Sequence, residues 1–207
     1  MIDWDSCVLW LDSKYFSESY WWDRSKYRNN GVVQGTKWKE DAFYFDGSND
    51  FVNCGNNKSL AMEDAITIEA WVNSKYLGNT KRMQFISKTN SYIFETNTDG
   101  RLAFAWYKSG SGWKFYTKWG LTFNEGWNHL VSSFAITEGG GLYVNGNKVY
   151  TIGSDSGEWR SGDTLYIGKY PVNYNYFEGN IALVRIFNIR FHDADIKILY
   201  NLTYKGV

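Results

Sequence analysis

The sequence predicts an all-β fold in which two antiparallel sheets pack face to face, with one short helix near the C-terminus. Strand-like segments recur along the 207 residues and are separated by turn-forming residues. Aromatic residues, which favour strands, make up 19% of the chain, whereas proline occurs once. Sandwiches of this length commonly form one domain, so we expect residues 1–207 to be a single domain.

Alternation and turn chemistry place the individual elements. Residues 66–72 alternate apolar and polar or bulky side chains, as a strand with one buried face does. Asp99-Gly100 and Asn145-Gly146 are typical of tight hairpin turns. Ile196, Leu199 and Tyr200 have helical spacing. The predicted strands are 7–11, 42–45, 51–54, 66–72, 84–87, 92–96, 101–107, 113–119, 128–134, 141–144, 148–151, 165–168 and 181–187, and the predicted helix is 193–200.

Charge excludes some classes of partner. The chain has 22 basic and 22 acidic residues and no basic stripe, so we expect no nucleic-acid partner. No run approaches the ~18 apolar residues of a membrane span, so we expect no membrane insertion. The N-terminus lacks the pattern of a signal peptide.

Cys7 and Cys54 fit two buried thiols or a disulfide, and spacing alone does not decide between them.

Six ordered segments resemble one family. They are the loop 22–31, Phe-Asp-Gly-Ser-Asn-Asp-Phe-Val at 45–52, Thr-Ile-Glu-Ala-Trp-Val at 67–72, Gly-Trp-Asn-His-Leu at 126–130, Leu-Tyr-Val-Asn-Gly at 142–146, and the closing strand and helix within 177–201. Together they resemble the laminin G-like domains of the concanavalin A-like lectin and glucanase superfamily. The resemblance implies a concanavalin A-like jelly-roll sandwich. It also implies a binding role, since members mostly bind glycans, proteins or matrix.

The same resemblance bears on calcium. Many members resemble calcium-dependent binders, with the Asp of Phe-Asp-Gly and an Asp in the closing strand as ligands. Here the first position is Asp46, but the second is Ala182. Calcium takes ~6–8 oxygen ligands, several of them carboxylates. Asp46 is therefore either a calcium ligand or a carboxylate that hydrogen-bonds its own turn, and we expect no other cofactor.

Catalysis is not expected. Hydrolases of this superfamily resemble one another in a Glu-x-Asp-x-x-Glu or Glu-x-Asp-x-Glu strand, and no such motif occurs here. His129 and His192 are far apart in sequence and belong to no metal or nucleophile motif. We interpret His129 as structural.

Aromatic side chains beside polar groups are the expected signature of a sugar site. In the segment 105–119 we expect Trp113 to share a face with Phe115, while Tyr107 and Tyr116 take a solvent face. The second segment, 168–176, joins tyrosines to asparagine, a composition typical of recognition loops. The predicted ligand-binding residues are Tyr107, Trp113, Tyr116, Trp119, Tyr170, Asn173, Tyr174 and Tyr176. A third aromatic cluster, 20–22, fits either a binding surface or a cap on the core.

Two functions remain open. The first is a non-catalytic domain for glycan recognition or adhesion, with a glycan or glycoprotein surface as partner. The alternative is a structural or interaction protein, such as a virion surface or decoration protein, with other subunits as partners. A lectin groups its aromatics in a concave groove with polar residues, whereas an assembly protein spreads them over a flat patch. If the chain binds such partners, we expect it outside the cell or on a virion surface.

Overall fold

Two layers of antiparallel strands form the protein, and a helix packs on the outside of one of them. The computed structural model describes residues 1–78, 81–172 and 175–203. The strands are β1 (Cys7–Phe16), β2 (Tyr20–Asp23), β3 (Gly31–Gln34), β4 (Lys37–Lys39), β5 (Ala42–Asp46), β6 (Phe51–Asn53), β7 (Ala65–Asn73), β8 (Met83–Lys88), β9 (Tyr92–Thr96), β10 (Leu102–Lys108), β11 (Gly112–Lys118), β12 (Trp127–Ala135), β13 (Gly139–Val144), β14 (Asn147–Ile152), β15 (Leu165–Ile167), β16 (Lys169–Tyr170), β17 (Asn175–Tyr176) and β18 (Glu178–Phe187). The helix α1 is Asp193–Thr203, and short 3₁₀ helices cover Trp4–Ser6 and Lys58–Leu60.

The strands form one long ribbon that folds back on itself. Its order is β11-β10-β9-β8-β15-β6-β3-β2-β1-β18-β7-β12-β13-β14, and β5, with β4 beside it, joins at β18. We call β11 to β6 the first layer and β1 to β14 the second; β2 and β3 link them. Inner-face side chains meet across the layers, for example Phe104 of β10 and Phe134 of β12 with ring centroids 5.8 Å apart. The predicted jelly-roll sandwich with its short helix is confirmed.

The alternation predicted for β7 is also confirmed. Ile66, Ile68, Ala70 and Val72 lie in the core between the layers, so the residues between them face outward. The two predicted hairpin turns join β9 to β10 and β13 to β14. At the second turn Asn145 and Gly146 have φ of 50° and 74°, the left-handed conformation that such turns require.

Each layer has a partly covered outer face. On the second layer, Ile196 and Leu199 of α1 pack against Val131, Tyr143 and Phe187. On the first layer, the β16–β17 hairpin places Tyr170 over Ile93 and Ala105. In the described residues, no helix has the length and apolar character needed to cross a membrane. Outer-face side chains are therefore buried where α1 or the β16–β17 hairpin packs over them.

Sequence patterns missed five of the short strands. β2, β3, β4 and the β16–β17 hairpin have two to four residues each, too few for alternation to be recognised. Their pairing with neighbouring strands, which is not visible in the local sequence, defines them.

Both cysteines are buried free thiols, so the disulfide alternative does not hold. Burial raises the pKa of Cys7 to about 12, which keeps it a neutral apolar group.

We predict that Gly140→Ala destabilises the fold. A Cβ at Gly140 of β13 would lie 1.9 Å from the carbonyl oxygen of Ser133 in the neighbouring β12, and backbone cannot move aside cheaply. We expect a loss of about 1–3 kcal/mol in the free energy of unfolding, measured by denaturant titration. Gly153→Ala is the matched control, because a Cβ there meets nothing within 4 Å. Equal midpoints for the two variants would contradict the prediction.

Candidate functional site

Four adjacent strands of the second layer bring together outward-facing residues from distant parts of the sequence. The strands lie in the order β1-β18-β7-β12. Their pairing register aligns two rows of side chains across the outer face. One row is Trp10, Arg185, Glu69 and Val131, and the next is Asp12, Leu183, Trp71 and His129.

A buried ion pair lies at the centre of this face. Glu69 accepts hydrogen bonds from Nε and Nη2 of Arg185, at 2.6 and 2.7 Å. Glu69 and Nε2 of His129 are also 2.9 Å apart. All three side chains are buried. Burial alone would raise the pKa of Glu69, but the Arg185 charge and the hydrogen bonds outweigh it and hold that pKa well below its usual range.

Two stacked indoles cover the ion pair on the β1 side. The rings of Trp4 and Trp10 stack with centroids 5.0 Å apart and an interplanar angle of 18°. The Arg185 guanidinium lies 5.1 and 5.4 Å from these two ring centroids, so the indoles also make cation–π contacts. Trp4 belongs to the 3₁₀ helix Trp4–Ser6, which Asp3 caps through its side chain. Trp4 as a whole remains 40% exposed.

The helix α1 fixes a third tryptophan from the other side. Trp71 stacks on Tyr200 with centroids 5.8 Å apart, and its indole N–H donates to Oγ1 of Thr203 at 2.8 Å. His129 lies 5.1 Å from the Trp71 ring. Trp71 is therefore held in one orientation by a strand on one side and the helix on the other.

An open cavity of about 400 Å³ lies between these tryptophans; we call it the tryptophan cavity. A β-bulge between Ile181 and Leu183 turns both Ala182 and Leu183 outward, so they line the cavity and pack beside Trp71. Its volume lies in the range of small-ligand pockets. The lining combines aromatic, apolar and charged groups. These are Trp4, Trp10, Asp12, Ser13, Lys14, Asp41, Trp71, Ala182, Leu183, Arg185, Leu202 and Thr203.

A second cavity of about 530 Å³ adjoins it and shares Lys14; we call it the basic groove. Its lining is Lys14, Tyr15, Phe16, Trp22, Asp23, Arg24 and Arg28. The Arg24 guanidinium lies 4.6 Å from the Trp10 ring centroid and 4.0 Å from that of Tyr15. It also pairs with Asp12 of the tryptophan cavity at 3.8 Å. Arg24 thus links the two cavities.

The buried carboxylate of Asp23 organises this region. Its Oδ1 accepts from the backbone N–H of Trp10 at 2.7 Å and of Ser25 at 2.8 Å. Its Oδ2 accepts from the Ser25 hydroxyl at 2.7 Å and the backbone N–H of Asn29 at 2.6 Å. Asp23 therefore ties the loop after β2 to β1 and sets the position of both cavities. It belongs to the loop 22–31, one of the motif segments in the sequence.

The predicted ligand residues are only partly brought together. Trp113, Tyr107 and Tyr170 meet on the outer face of the first layer, with the Trp113 ring 5.3 Å from Tyr107 and 6.4 Å from Tyr170. Phe115 lies 6.1 Å from Trp113 and is 50% exposed. We call these four residues the outer patch. Tyr170 is almost fully buried within it.

The other predicted residues lie apart. Tyr116 was expected on a solvent face, and this is wrong: it pairs with Phe104 and packs against the core between the layers. Trp119 is exposed, with the Arg101 guanidinium 3.7 Å from its ring centroid. Tyr176 is half-buried in β17. Asn173 and Tyr174 lie outside the described residues.

Asp46 hydrogen-bonds its own turn. Its Oδ1 accepts from the backbone N–H of Ser48 at 2.8 Å and of Asn49 at 3.2 Å. Burial acts to raise the pKa of Asp46, but these backbone donors outweigh it and lower that pKa. Glu178, opposite Asp46 in the register, is paired with Lys81. Within the ranges described, no group of three or more His, Cys, Asp or Glu side chains could hold a metal ion.

Sequence reasoning missed the tryptophan cavity. Trp4, Trp10, Trp71 and Arg185 are scattered along the chain, and only the register of four strands joins them. For the neighbouring basic groove, one signal was present in the aromatic cluster 20–22. Trp21 is core, whereas Tyr20 and Trp22 are exposed and stack with centroids 5.0 Å apart. Trp22 lines the basic groove.

Comparison with known proteins supports the fold. A laminin G family model, described as concanavalin A-like lectin/glucanases superfamily, matches residues 46–197. No curated protein matches the sequence at a significant level. Among solved structures, the ligand-binding domain of botulinum neurotoxin serotype D in complex with N-acetylneuraminic acid has a TM-score of 0.76 and 18% identity, over 97% of this chain and 52% of that one. The binding domain of botulinum neurotoxin DC in complex with rat synaptotagmin II has a TM-score of 0.75 and 18% identity, over 99% and 53%.

The likeness establishes the fold alone. A further neurotoxin DC binding domain, in complex with SialylT, has a TM-score of 0.73 and 17% identity, over 99% of this chain and 53% of that one. The chain spans about half the length of these binding domains. Any ligand of this chain must therefore be inferred from its own side chains.

We predict that Glu69→Gln destabilises the protein by about 3–5 kcal/mol, because it leaves the buried Arg185 charge without its partner. Denaturant unfolding measures the loss. The control is Glu138→Gln, which removes a carboxylate from an exposed pair with Arg190 and is expected to cost at most about 1 kcal/mol. Similar losses in both variants would show that the buried pair does not stabilise the fold.

The same variant has an expected pH dependence. Because the pKa of Glu69 is lower in the folded state than its ordinary value of 4.5, the pair stabilises the fold fully above that value. The stabilisation is lost as the pH falls through the lower folded pKa. The stability difference between wild type and Glu69→Gln should therefore shrink as the pH falls below 4.5. A difference that stays constant down to pH ~2 would contradict this.

Proposed function

Because the chain belongs to the concanavalin A-like lectin/glucanases superfamily, we propose that it is a non-catalytic carbohydrate-binding domain whose ligand occupies the tryptophan cavity. One observation carries the proposal: Trp4, Trp10 and Trp71 line a concave site together with hydrogen-bonding side chains. A glycan ligand also implies action at a cell or particle surface.

The indoles supply the apolar part of such a site. A sugar ring has faces of C–H groups that pack well on a flat aromatic surface, and tryptophan offers the largest such surface. The indole of Trp4 is partly exposed and already stacked on Trp10. Its position therefore needs little ordering when a ligand binds, which favours affinity.

The polar lining suits hydroxyl groups, which both donate and accept hydrogen bonds. The carboxylates of Asp12 and Asp41 accept, while Lys14 and Arg185 donate. The buried indole N–H of Trp10 has no hydrogen-bond partner among the described residues. An unsatisfied buried donor costs about 1–3 kcal/mol, so an acceptor brought near it by a ligand or a water stabilises the site.

The comparisons agree with this proposal at a coarse level. The neurotoxin domains with the same fold are in complex with N-acetylneuraminic acid, SialylT or synaptotagmin. The sequence also lacks the paired-carboxylate motif of the hydrolases in the superfamily. Both points favour a binding domain for a glycan or glycoprotein over an enzyme.

The outer patch is a second candidate surface. Phe115 is half-exposed beside Trp113, and a flat aromatic surface of this kind also suits a protein partner. The outer patch therefore supports the alternative function, in which the chain assembles with other protein subunits. The two surfaces lie on opposite layers of the sandwich, so separate variants distinguish them.

We predict that Trp4→Ala weakens glycan binding by about 2 kcal/mol, roughly 30-fold in Kd, because it removes the exposed half of the indole stack. A glycan array identifies a ligand, and calorimetry then measures its Kd. Trp119→Ala is the matched control, since Trp119 is exposed and outside both the tryptophan cavity and the outer patch. It should leave the Kd unchanged.

Two other results would redirect the proposal. If Trp113→Ala abolishes binding while Trp4→Ala does not, the outer patch holds the ligand. If wild type binds no glycan on the array, with or without calcium, the carbohydrate proposal is wrong, and a stable oligomer in size-exclusion chromatography would support assembly.

A further inference from the structure

We propose that the ligand is an acidic saccharide, whose sugar ring stacks in the tryptophan cavity and whose carboxylate or sulfate group lies in the basic groove. The proposal rests on the proposed function. It adds that the ligand is negatively charged, and it names the residues that bind its anionic group. Arg24, Arg28 and Lys14 are those residues.

Charge is unevenly divided between the two cavities. The groove lining has three cationic side chains and one carboxylate, Asp23, although the whole chain has no net charge. Asp23 is fully buried, and its two oxygens already accept four hydrogen bonds. Its single negative charge offsets only one of the three cations, so the groove lining keeps an excess of positive charge.

The tryptophan cavity, in contrast, has no excess of positive charge. Its two carboxylates are Asp12 and Asp41, while Lys14 is shared with the groove. The charge of Arg185, its other cation, is already paired with Glu69. An anionic group would gain little in that cavity, whereas the groove beside it carries an excess of positive charge. A ligand that spans both cavities would place its neutral ring in one and its anion in the other.

The groove arginines are held in place before any ligand arrives. The Arg24 guanidinium lies within cation–π distance of both the Trp10 and Tyr15 rings, and these contacts hold it beside the groove. Arg24 pairs with Asp12 only at 3.8 Å, with both side chains partly exposed, so this contact is weak. A carboxylate or sulfate can compete for it.

Arg28 is positioned by the loop that Asp23 organises. Its Nη1 donates to the Asp23 carbonyl at 3.3 Å, and its backbone has φ of 54°, which is costly for a residue other than glycine. The loop maintains this conformation through the hydrogen bond from Asn29 to Asp23. Among the described residues, neither Arg28 nor Lys14 forms an ion pair.

The first experiment is an array that prints sialylated, uronic-acid and sulfated glycans beside their neutral parents. We expect wild type to prefer the acidic members, and the preference to fall with added salt because the groove is open to solvent. Equal binding of acidic glycans and their neutral parents would overturn this inference and leave the carbohydrate proposal standing. No binding to any glycan would overturn both.

The second experiment assigns the groove. Arg28→Gln should weaken binding of the best acidic glycan about tenfold, because a charge-assisted contact is lost, and should not change binding of its neutral parent. Arg160→Gln is the matched control, since it makes the same change of charge at an arginine that lies outside both cavities, over Tyr107 of the first layer. Trp4→Ala should weaken both glycans. An unchanged preference in Arg28→Gln would overturn the assignment of the groove.

Discussion

Glu69 and Arg185 carry their charges on a face of the second layer that a two-layer sandwich can leave open to water. A buried ion pair is tolerated only when its hydrogen bonds are satisfied, and here Arg185 donates twice to Glu69 while His129 lies within hydrogen-bonding distance. The pair must also be kept from water. Trp4 and Trp10 cover it from the β1 side, and α1 covers the face beyond Trp71. The tryptophans on this face are therefore explained in part by the need to shield the ion pair from water.

The covering is open between Trp10 and Trp71, where the bulge at Ala182 widens the face into a cavity. The side chains that shield the ion pair are therefore the same ones that a ligand would contact. Asp23 extends the arrangement, because it binds the backbone of Trp10 and also shapes the loop that carries Arg28. Loss of the ion pair would consequently disturb both cavities, so stability and binding should be measured separately in every variant of this face.

The fold could be predicted because its signals are local. Alternation in β7 and the left-handed turn at Asn145-Gly146 are each contained in a few residues. The tryptophan cavity could not, since Trp10 meets Arg185 only through the register of β1 with β18. Alternation also says which residues share a face but not which face is inward. Tyr116 was placed on the solvent face for this reason, whereas its pairing with Phe104 turns it to the core.

Several exposed aromatics of the first 44 residues stack on one another. Besides Trp4 and Trp10, Phe16 stacks on Trp38 with centroids 5.1 Å apart, and the Trp38 indole donates to the carbonyl of Ser13. Tyr20 stacks on Trp22 in the same way. Large apolar side chains exposed on a monomer favour association with a partner. Because these rings are already fixed, a ligand would bind them without the entropic cost of ordering them, and a rigid, aromatic, concave surface with cations at one end selects for a ligand that has a flat apolar face and a negative charge.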